Sequence, residues 1–297
     1  MIRLKNALEK CALETTEALE KYVPESKDVD SLVYEAMRYS LLAGGKRLRP
    51  FLVFLSSDIF EVPRYQALAC AVAIEMVHTY SLIHDDLPSM DNDDLRRGRP
   101  TCHKEFDGAT AILAGDALLT MAFQIVSSKE SHPDGEIRSA ITQELAIAAG
   151  AAGMVGGQAM DLAAETSERS FDLDTIVRLQ SRKTGALIRF SCEAGAILAG
   201  DNGIKRTALR CYADDIGLAF QIADDLLDYE GDESTLGKAA GKDIAAGKAT
   251  FVGLLGPEIA REKAENLVSS AIARLDIFDH KAELLREVAR YIIERKN

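Results

Sequence analysis

Apolar residues recur at three- and four-residue spacing along nearly the whole chain, and strand-type alternation is almost absent. Leu4 and Leu19 mark a first amphipathic helix, and a second one runs from about Leu32 towards the Gly44-Gly45 pair, which is a typical helix end. The same spacing predicts further helices at about 47–60, 64–87, 109–129, 137–165, 171–199, 204–230, 257–274 and 279–295. The pattern therefore predicts an all-α protein of about ten helices.

The composition changes this picture little. No Pro/Ser-rich linker or low-complexity segment divides the 297 residues, so a single domain over residues 1–297 is expected. Hydrophobic residues make up 47% of the chain, which is enough for a large core. The 35 basic and 47 acidic residues give a net charge of −12, which argues against a nucleic-acid-binding protein.

Cellular location is predicted from the cysteines and from the apolar runs. The five cysteines are scattered without CxxC spacing, which is typical of reduced thiols in the cytoplasm. The N-terminal residues lack a signal-peptide core. The longest uncharged run, at 145–160, is shorter than the roughly 20 apolar residues that a membrane span needs. A cytoplasmic protein without a membrane span is expected.

Two segments do not fit an ordinary helix surface. Residues 88–108 follow the apolar helix "AVAIEMVHTYSLIHDD", and residues 230–250 follow "IGLAFQIADDLLD". Each helix ends in carboxylates, and the two aspartate pairs begin 139 residues apart in the chain. This repetition suggests that both acidic segments contribute to one site.

Within each segment, the spacing brings some of the acidic side chains close together. Asp224 and Asp228 are four residues apart on a helix, so they project from one face together with Gln221, whereas Asp225 lies about 100° round the helix. In the first segment, Asp85 and Asp86 end a helix, and a bulge at Pro88 returns Asp91 towards them.

Adjacent carboxylates repel each other by on the order of 3 kcal/mol at about 5 Å and an effective dielectric constant near 20. Cations must therefore neutralise them if they lie near apolar surface. Oxygen ligands without His or Cys select Mg²⁺, or Mn²⁺ in its place. A single Asp-Asp pair is more often a solvated helix end, but two pairs that both follow apolar helices favour a metal site.

Phosphate-binding cations accompany both acidic segments. "GGKRLRP" and "LRRGRPT" place arginines around the first segment, and arginine is well suited to phosphate oxygens. A solvated surface remains an equal alternative for Arg47, Arg99 and Lys242. His78 lies two turns before Asp85 on the same helical face, which favours a substrate-facing role over a core histidine. Acidic and basic groups side by side indicate chemistry on a metal-bound diphosphate.

Seven motifs, taken together, resemble those of the trans (E-type) short-chain isoprenyl diphosphate synthases, and bacterial farnesyl diphosphate synthases in particular. They are "GGKRLRP", "HTYSLIHDDLPSMDNDDLRRGRPT", "ILAGDALL", "GMVGGQAMDL", "SRKTGALI", "FQIADDLLD" and "GKAAGKD", in the family's order and spacing from about residue 30 to 255. The two aspartate-rich motifs in combination are highly specific. Phe251 stands where this family often has Tyr.

The resemblance implies mostly antiparallel helices around a deep central cavity, a homodimer, and head-to-tail condensation of an allylic diphosphate with isopentenyl diphosphate. It also implies a role for each of the following residues. The metal would be held by Asp85, Asp91 and Asp224, supported by Asp86, Asp225 and Asp228; the allylic diphosphate by Arg96, Lys183 and Lys238; isopentenyl diphosphate by Lys46, Arg49, His78 and Arg97; and the developing cation would face Lys183, Thr184 and Gln221.

Product length depends on what blocks the cavity below the metal site. In this family a bulky aromatic residue at the position of Tyr80, next to Ser81, tends to stop growth at fifteen carbons, which predicts farnesyl diphosphate. A geranylgeranyl or geranyl diphosphate synthase is the alternative. A non-catalytic partner subunit should have lost aspartates, and a terpene cyclase needs one diphosphate site rather than two, so both are disfavoured.

Overall fold

The computed structural model describes residues 2–166, 171–230 and 250–294. Fourteen α-helices, one π-helical turn, one 3₁₀ segment and one two-stranded sheet make up the regular structure of these residues. The helices are α1 Ile2–Tyr22, α2 Ser31–Leu41, α3 Leu48–Ile59, α4 Arg64–Asp85, α5 Cys102–Glu105, α6 Gly108–Ser127, α7 Gly135–Ala149, α8 Met154–Thr166, α9 Leu173–Gln180, α10 Ala186–Leu198, α11 Ile204–Glu230, α12 Phe251–Leu255, α13 Pro257–Arg274 and α14 Glu283–Glu294.

The all-α prediction is confirmed, and most predicted helices are present within a few residues. Two predicted helices are divided. The expected helix at 137–165 is α7 and α8, with a turn at 150–153, and the expected helix at 171–199 is α9 and α10, with the π-helical turn Ser181–Gly185 between them. The 3₁₀ segment Asp276–Ala282 replaces the start of the last predicted helix.

The chain forms two compact units. The N-terminal unit is Ile2–Gln143 with Ile197–Gly200, and the C-terminal unit is Glu144–Ala196 with Asp201–Asn297. The expectation of a single domain stays a prediction.

In the N-terminal unit, α4 is the central helix and packs against α3 and α6. Its residues 69–77 are all buried, because Ala, Val, Ile, Met and Cys occupy every side of the helix except at Glu75. A continuous apolar surface of this kind can be stable only inside a core. The polar end of α4, from His78 to Asp86, is thereby held at the edge of a rigid element.

In the C-terminal unit, α11 packs along α13, and a second core lies beside its last turns. This core consists of Ile176, Ile222, Leu226, Phe251, Val252, Ala260 and Ala264. Ile222 and Leu226 are four residues apart and face this core, so a different side of the helix carries Gln221, Asp224 and Asp228. Burial of one face fixes the orientation of the acidic one.

Three helical segments are long and apolar enough to cross a membrane by length and composition: Arg64–Asp85, Gly108–Ser127 and Gly135–Ala164. This differs from the sequence analysis, in which the length of uncharged runs predicts no membrane-spanning helix. In Arg64–Asp85, 72% of the most apolar window is buried inside the protein, so its hydropathy is accounted for by the core.

Candidate active site

The first acidic segment is a bulge followed by a short β-hairpin. The backbone N–H of Asp91 donates to the Asp85 carbonyl oxygen at 2.8 Å, which returns the chain to the end of α4 as predicted. Strands β1 (Leu95–Arg96) and β2 (Arg99–Pro100) then pair antiparallel. Their two connecting residues, Arg97 and Gly98, have φ values of 53° and 75°, as a type I′ turn requires.

Arg96 binds the second aspartate of the pair. Its Nε lies 2.8 Å from both carboxylate oxygens of Asp86, and its Nη2 lies 2.6 Å from Asp86 Oδ1. Burial raises the pKa of the Asp86 carboxyl above its ordinary value, while the Arg96 guanidinium acts to lower it. Burial acts to lower the pKa of Arg96, but the hydrogen bonds to Asp86 raise it overall. The pair therefore anchors the hairpin to the end of α4.

Arg97 reaches the loop after α2. Its Nη1 donates to the Gly44 carbonyl oxygen, and its guanidinium lies against Gly45. The φ of Gly45 is +122°, which glycine adopts without strain, and a Cβ there would lie 2.8 Å from Arg97 Nη1 and would displace the guanidinium. The two motifs "GGKRLRP" and "LRRGRPT" are thus in direct contact.

A cluster of cations surrounds His78. Burial and then the charges of Arg49, Arg97, Arg96 and Arg47 lower the pKa of His78 well below its ordinary value, so the imidazole is neutral at pH 7. Burial also lowers the pKa of Arg49, and the Nε atom of Arg49 is buried without a hydrogen-bond partner among the described residues. We call Arg49, Arg96, Arg97 and His78 the cation cluster; such a group is suited to bind an anion. Arg47 is not counted in it, because its guanidinium is buried in an ion pair with Glu75.

Tyr80 and Ser81 lie between the cation cluster and Asp85 on α4. Tyr80 is buried, and its ring meets that of His84 edge-on at 5.7 Å between centroids. Burial, and then the Asp85 carboxylate, raise the pKa of Tyr80 to about 12. Ser81 Oγ donates to the His78 carbonyl oxygen at 2.9 Å, which is an ordinary helix contact.

The second aspartate pair lies inside α11, which is helical as far as Glu230. Gln221, Asp224 and Asp228 are half-buried on one side of α11, and Thr184 Oγ1 donates to Gln221 Oε1 at 3.2 Å. Asp225 points elsewhere: its Oδ2 accepts the backbone N–H of Phe251 at 2.7 Å, at the start of α12. The prediction that Asp225 differs in direction from Asp224 is confirmed.

Lys183 and Thr184 lie in the π-helical turn Ser181–Gly185, and such turns occur frequently at functional sites. Lys183 Nζ donates to Asp161 Oδ2 at 2.5 Å. A Cβ at Gly157 would lie 2.1 Å from the Lys183 backbone nitrogen, so this glycine permits the close approach of α8. Sequence reasoning missed Asp161 and Gly157, although "GMVGGQAMDL" was among the motifs.

The family is decided by comparison with known proteins. Residues 30–290 match the model of the polyprenyl synthetase family. The chain belongs to this family. It is 47% identical to the farnesyl diphosphate synthase of Escherichia coli K12, over 97% of each chain. It is 46% identical to a chloroplastic geranylgeranyl pyrophosphate synthase of Capsicum annuum, over 90% of this chain and 72% of that protein.

A solved structure supports the same membership. The crystal structure of an FPP/GFPP synthase from Zymomonas mobilis superposes with a TM-score of 0.90 and is 51% identical, covering 98% of this chain and 99% of that one. The polyprenyl synthetase fold is therefore shown for this chain, and the resemblance inferred from the motifs is confirmed.

Within this polyprenyl synthetase, the structure brings several predicted residues together. Arg49, His78, Arg96 and Arg97 share the cation cluster, and Lys46 precedes it in the chain; Thr184 contacts Gln221. Lys238 lies outside the described residues. Among the residues described, no group of three His, Cys, Asp or Glu side chains is close enough to hold a metal ion by itself. The metal-binding roles stay predictions.

Proposed function

We propose that this chain is a Mg²⁺-dependent farnesyl diphosphate synthase, which condenses dimethylallyl or geranyl diphosphate head-to-tail with isopentenyl diphosphate and releases pyrophosphate. The observation that supports it most is the cation cluster around a neutral His78, two turns from an aspartate pair on the same helix. A chain of the polyprenyl synthetase family with this cluster has an anion site beside an acidic one. Two diphosphates are what the reaction requires.

Isopentenyl diphosphate binds in the N-terminal unit, to Lys46, Arg49, His78 and Arg97. Arg49 and Arg97 both have guanidinium pKa values lowered by burial, and a bound diphosphate would relieve that cost. Neutral His78 is able to donate one hydrogen bond without adding charge. The cluster therefore favours a diphosphate over a single carboxylate.

The allylic diphosphate binds with Mg²⁺, for which Mn²⁺ is able to substitute. The metal would be held by Asp85, Asp91 and Asp224, with Asp86, Asp225 and Asp228 supporting them. Carboxylate oxygens without His or Cys suit this ion, because Mg²⁺ is usually held by one or two carboxylates with water and substrate phosphates. When bound, it supplies Lewis-acid stabilisation of the departing pyrophosphate. Arg96, Lys183 and Lys238 contribute positive charge to the same diphosphate.

The protein's own part in the reaction is to orient the substrates and stabilise charge. The allylic carbon–oxygen bond breaks, pyrophosphate leaves with both electrons, and the Thr184 hydroxyl, Gln221 and the backbone at Lys183 face the resulting cation. The double bond of isopentenyl diphosphate attacks that cation, and a proton is then lost to the released pyrophosphate. Positioning of this kind accounts for a large part of such rate enhancements.

Product length is set at Tyr80, with Ser81 beside it. Tyr80 is a buried and neutral aromatic residue one turn before His84, which its ring contacts. Relatives of this chain carry the names of both farnesyl and geranylgeranyl synthases, so the name of a relative does not decide the product. The alternative is a geranylgeranyl or geranyl product. We also propose that the protein is a cytoplasmic homodimer.

The test is an assay of the purified chain with radiolabelled isopentenyl diphosphate and either dimethylallyl or geranyl diphosphate, with and without a chelator. We expect farnesyl diphosphate to form with either allylic co-substrate, and no product to form in the presence of the chelator. Tyr80→Ala should lengthen the product, and Tyr65→Ala, at an exposed position near the start of the same helix, is the control. A wild-type chain without product would contradict the proposed activity, and unchanged C15 product from Tyr80→Ala would remove that residue from the role.

A further inference from the structure

A buried ion pair lies beneath the cation cluster. Arg47 and Glu75 are both 3% exposed, and Arg47 Nη1 donates to Glu75 Oε1 at 2.6 Å. Arg47 Nη2 donates to the Leu41 carbonyl oxygen at 2.5 Å, at the end of α2. The side chain of Arg47 therefore joins α4 to the end of α2 from inside the N-terminal unit.

The backbone of Arg47 has an unusual conformation. Its φ and ψ are 49° and 42°, in the left-handed region that arginine rarely adopts. Such a conformation persists only where the surrounding structure holds it. The Arg47 carbonyl oxygen also accepts the Phe51 N–H at 3.0 Å, so this residue begins α3. A change in its backbone would alter the direction of that helix.

Two predicted substrate ligands depend on this turn. Lys46 directly precedes Arg47, and Arg49 lies in the first turn of α3. The carboxylate of Glu75 also acts on the guanidinium groups of Arg49 and Arg97, raising their pKa values against the effect of burial. One buried carboxylate thus holds the turn and offsets part of the positive charge around it.

We propose that Glu75 is a positioning residue for isopentenyl diphosphate, which holds Arg47 in its left-handed turn and so directs Lys46 and Arg49 to one diphosphate. This inference rests on the proposed function. A buried ion pair is poor evidence of a purely stabilising role, because apolar residues of similar volume often serve stability equally well. We therefore assign the Arg47–Glu75 ion pair the role of fixing the backbone turn that carries Lys46 and Arg49.

Two variants separate positioning from stability. Glu75→Gln removes the charge but keeps the shape, and leaves Arg47 without its counterion. The double variant Arg47→Met/Glu75→Leu replaces the whole pair by apolar groups, which should recover much of the lost stability. In both, we expect the KM for isopentenyl diphosphate to rise by about tenfold to 100-fold, while the KM for geranyl diphosphate changes by less than about twofold.

Glu193→Gln is the matched control. Glu193 is another buried carboxylate, and it accepts hydrogen bonds from Arg206 and Arg210 within the C-terminal unit. This variant should lose thermal stability without the selective change in KM. Thermal unfolding of each whole-chain variant, followed by circular dichroism, is measured beside the kinetics.

Calorimetric titration of isopentenyl diphosphate into each variant gives an independent readout. Weaker binding by the double variant at near wild-type stability would support the inference. A double variant with wild-type KM and wild-type binding would overturn it, and so would an equal loss for both substrates. Wild-type protein that neither makes product nor binds isopentenyl diphosphate would overturn the proposed function as well, whereas an active wild type with an unaffected double variant would overturn the positioning role alone.

Discussion

Asp86 and Asp225 hold the same place in their acidic segments, since each is the second residue of an Asp-Asp pair near the end of an apolar helix. Asp86 is buried and accepts three hydrogen bonds from Arg96. Asp225 accepts the Phe251 N–H at 2.7 Å and so helps to cap the start of α12. Both therefore hold the following chain segment in place.

Asp85 and Asp224, the first residues of the pairs, differ from them in their surroundings. Both are half-buried at the polar side of their helices, and Asp224 shares its helical face with Gln221 and Asp228. Under the proposed function, this difference predicts a division of roles within each pair. The first aspartate would hold the metal, and the second anchors another part of the chain, as the contacts of Asp86 with Arg96 and of Asp225 with Phe251 show.

The two segments also reach their geometry differently. In the first, a bulge and a β-hairpin place arginines beside the carboxylates, so an internal ion pair between Arg96 and Asp86 is available. In the second, a continuous helix sets the direction of every side chain, and the orientation follows from burial of Ile222 and Leu226. The position of the β1–β2 hairpin therefore depends on the Arg96–Asp86 ion pair, whereas the 27-residue helix α11 does not depend on any single ion pair for its conformation.

The largest effect is expected from the first aspartates. Asp85→Asn or Asp224→Asn should lower kcat by about 100-fold or more, because under the proposed function each carboxylate is a Mg²⁺ ligand and the metal stabilises the departing pyrophosphate. Circular dichroism should show unchanged folding. Activity above a tenth of the wild-type value in either variant would contradict the proposed division of roles.

Loss of Asp86 should chiefly reduce stability. Asp86→Ala removes all three hydrogen bonds between Arg96 and Asp86 and leaves Arg96 only the longer contact with Asp93, at 3.9 Å. The free energy of unfolding should fall by about 2 kcal/mol. Denaturant unfolding measures this. Asp94→Asn is the control in the same segment, because Asp94 is paired with Lys104 in solvent and should show no measurable change. Equal stability of the two variants would refute the anchoring role.

A smaller loss is expected at Asp225. Asp225→Ala removes the acceptor for the Phe251 N–H, and a lost cap of this kind costs about 1 kcal/mol. Asp228→Ala, one turn further along α11, should leave stability near that of the wild type. If Asp225→Ala lowered kcat as strongly as Asp224→Asn at full stability, the two residues would not differ in role.

The last expected effect, present only at low pH, is a pH dependence of stability that belongs to the N-terminal unit. Because His78 in the folded protein has a lowered pKa, the unfolded chain binds a proton that the folded one does not, at pH below about 6.5. Stability should therefore fall as the pH decreases from about 6.5, by at most about 1.4 kcal/mol per pH unit from this group. His78→Gln should remove this part of the dependence in unfolding measured at pH 7.5 and 5.5.

The corresponding control is His280→Gln, at an exposed position of the C-terminal unit. It should keep the wild-type change in stability between the two pH values. Identical pH dependence in the wild type and in His78→Gln would contradict the lowered pKa of His78 in the folded protein.

Much of this site follows from local spacing along the chain. The i, i+4 relation of Asp224 and Asp228, the different direction of Asp225 and the return of Asp91 to the end of α4 all follow from helix geometry and one proline. The π-helical turn at Lys183 and the hairpin at Arg97 were not predicted. Gly98 in "RRGR" was an available signal for the hairpin, because a type I′ turn favours glycine at its second central position.

Periodicity, charge and motif order alone determined the all-α class, the two acidic helix ends and the membership of a polyprenyl synthetase family, because each depends on residues close in sequence. Only the tertiary structure decided which carboxylate meets which cation. Arg47 pairs with Glu75, Arg96 with Asp86 and Lys183 with Asp161, over 28, 10 and 22 residues. These pairings depend on how helices pack, and a sequence pattern contains no distance between separate helices.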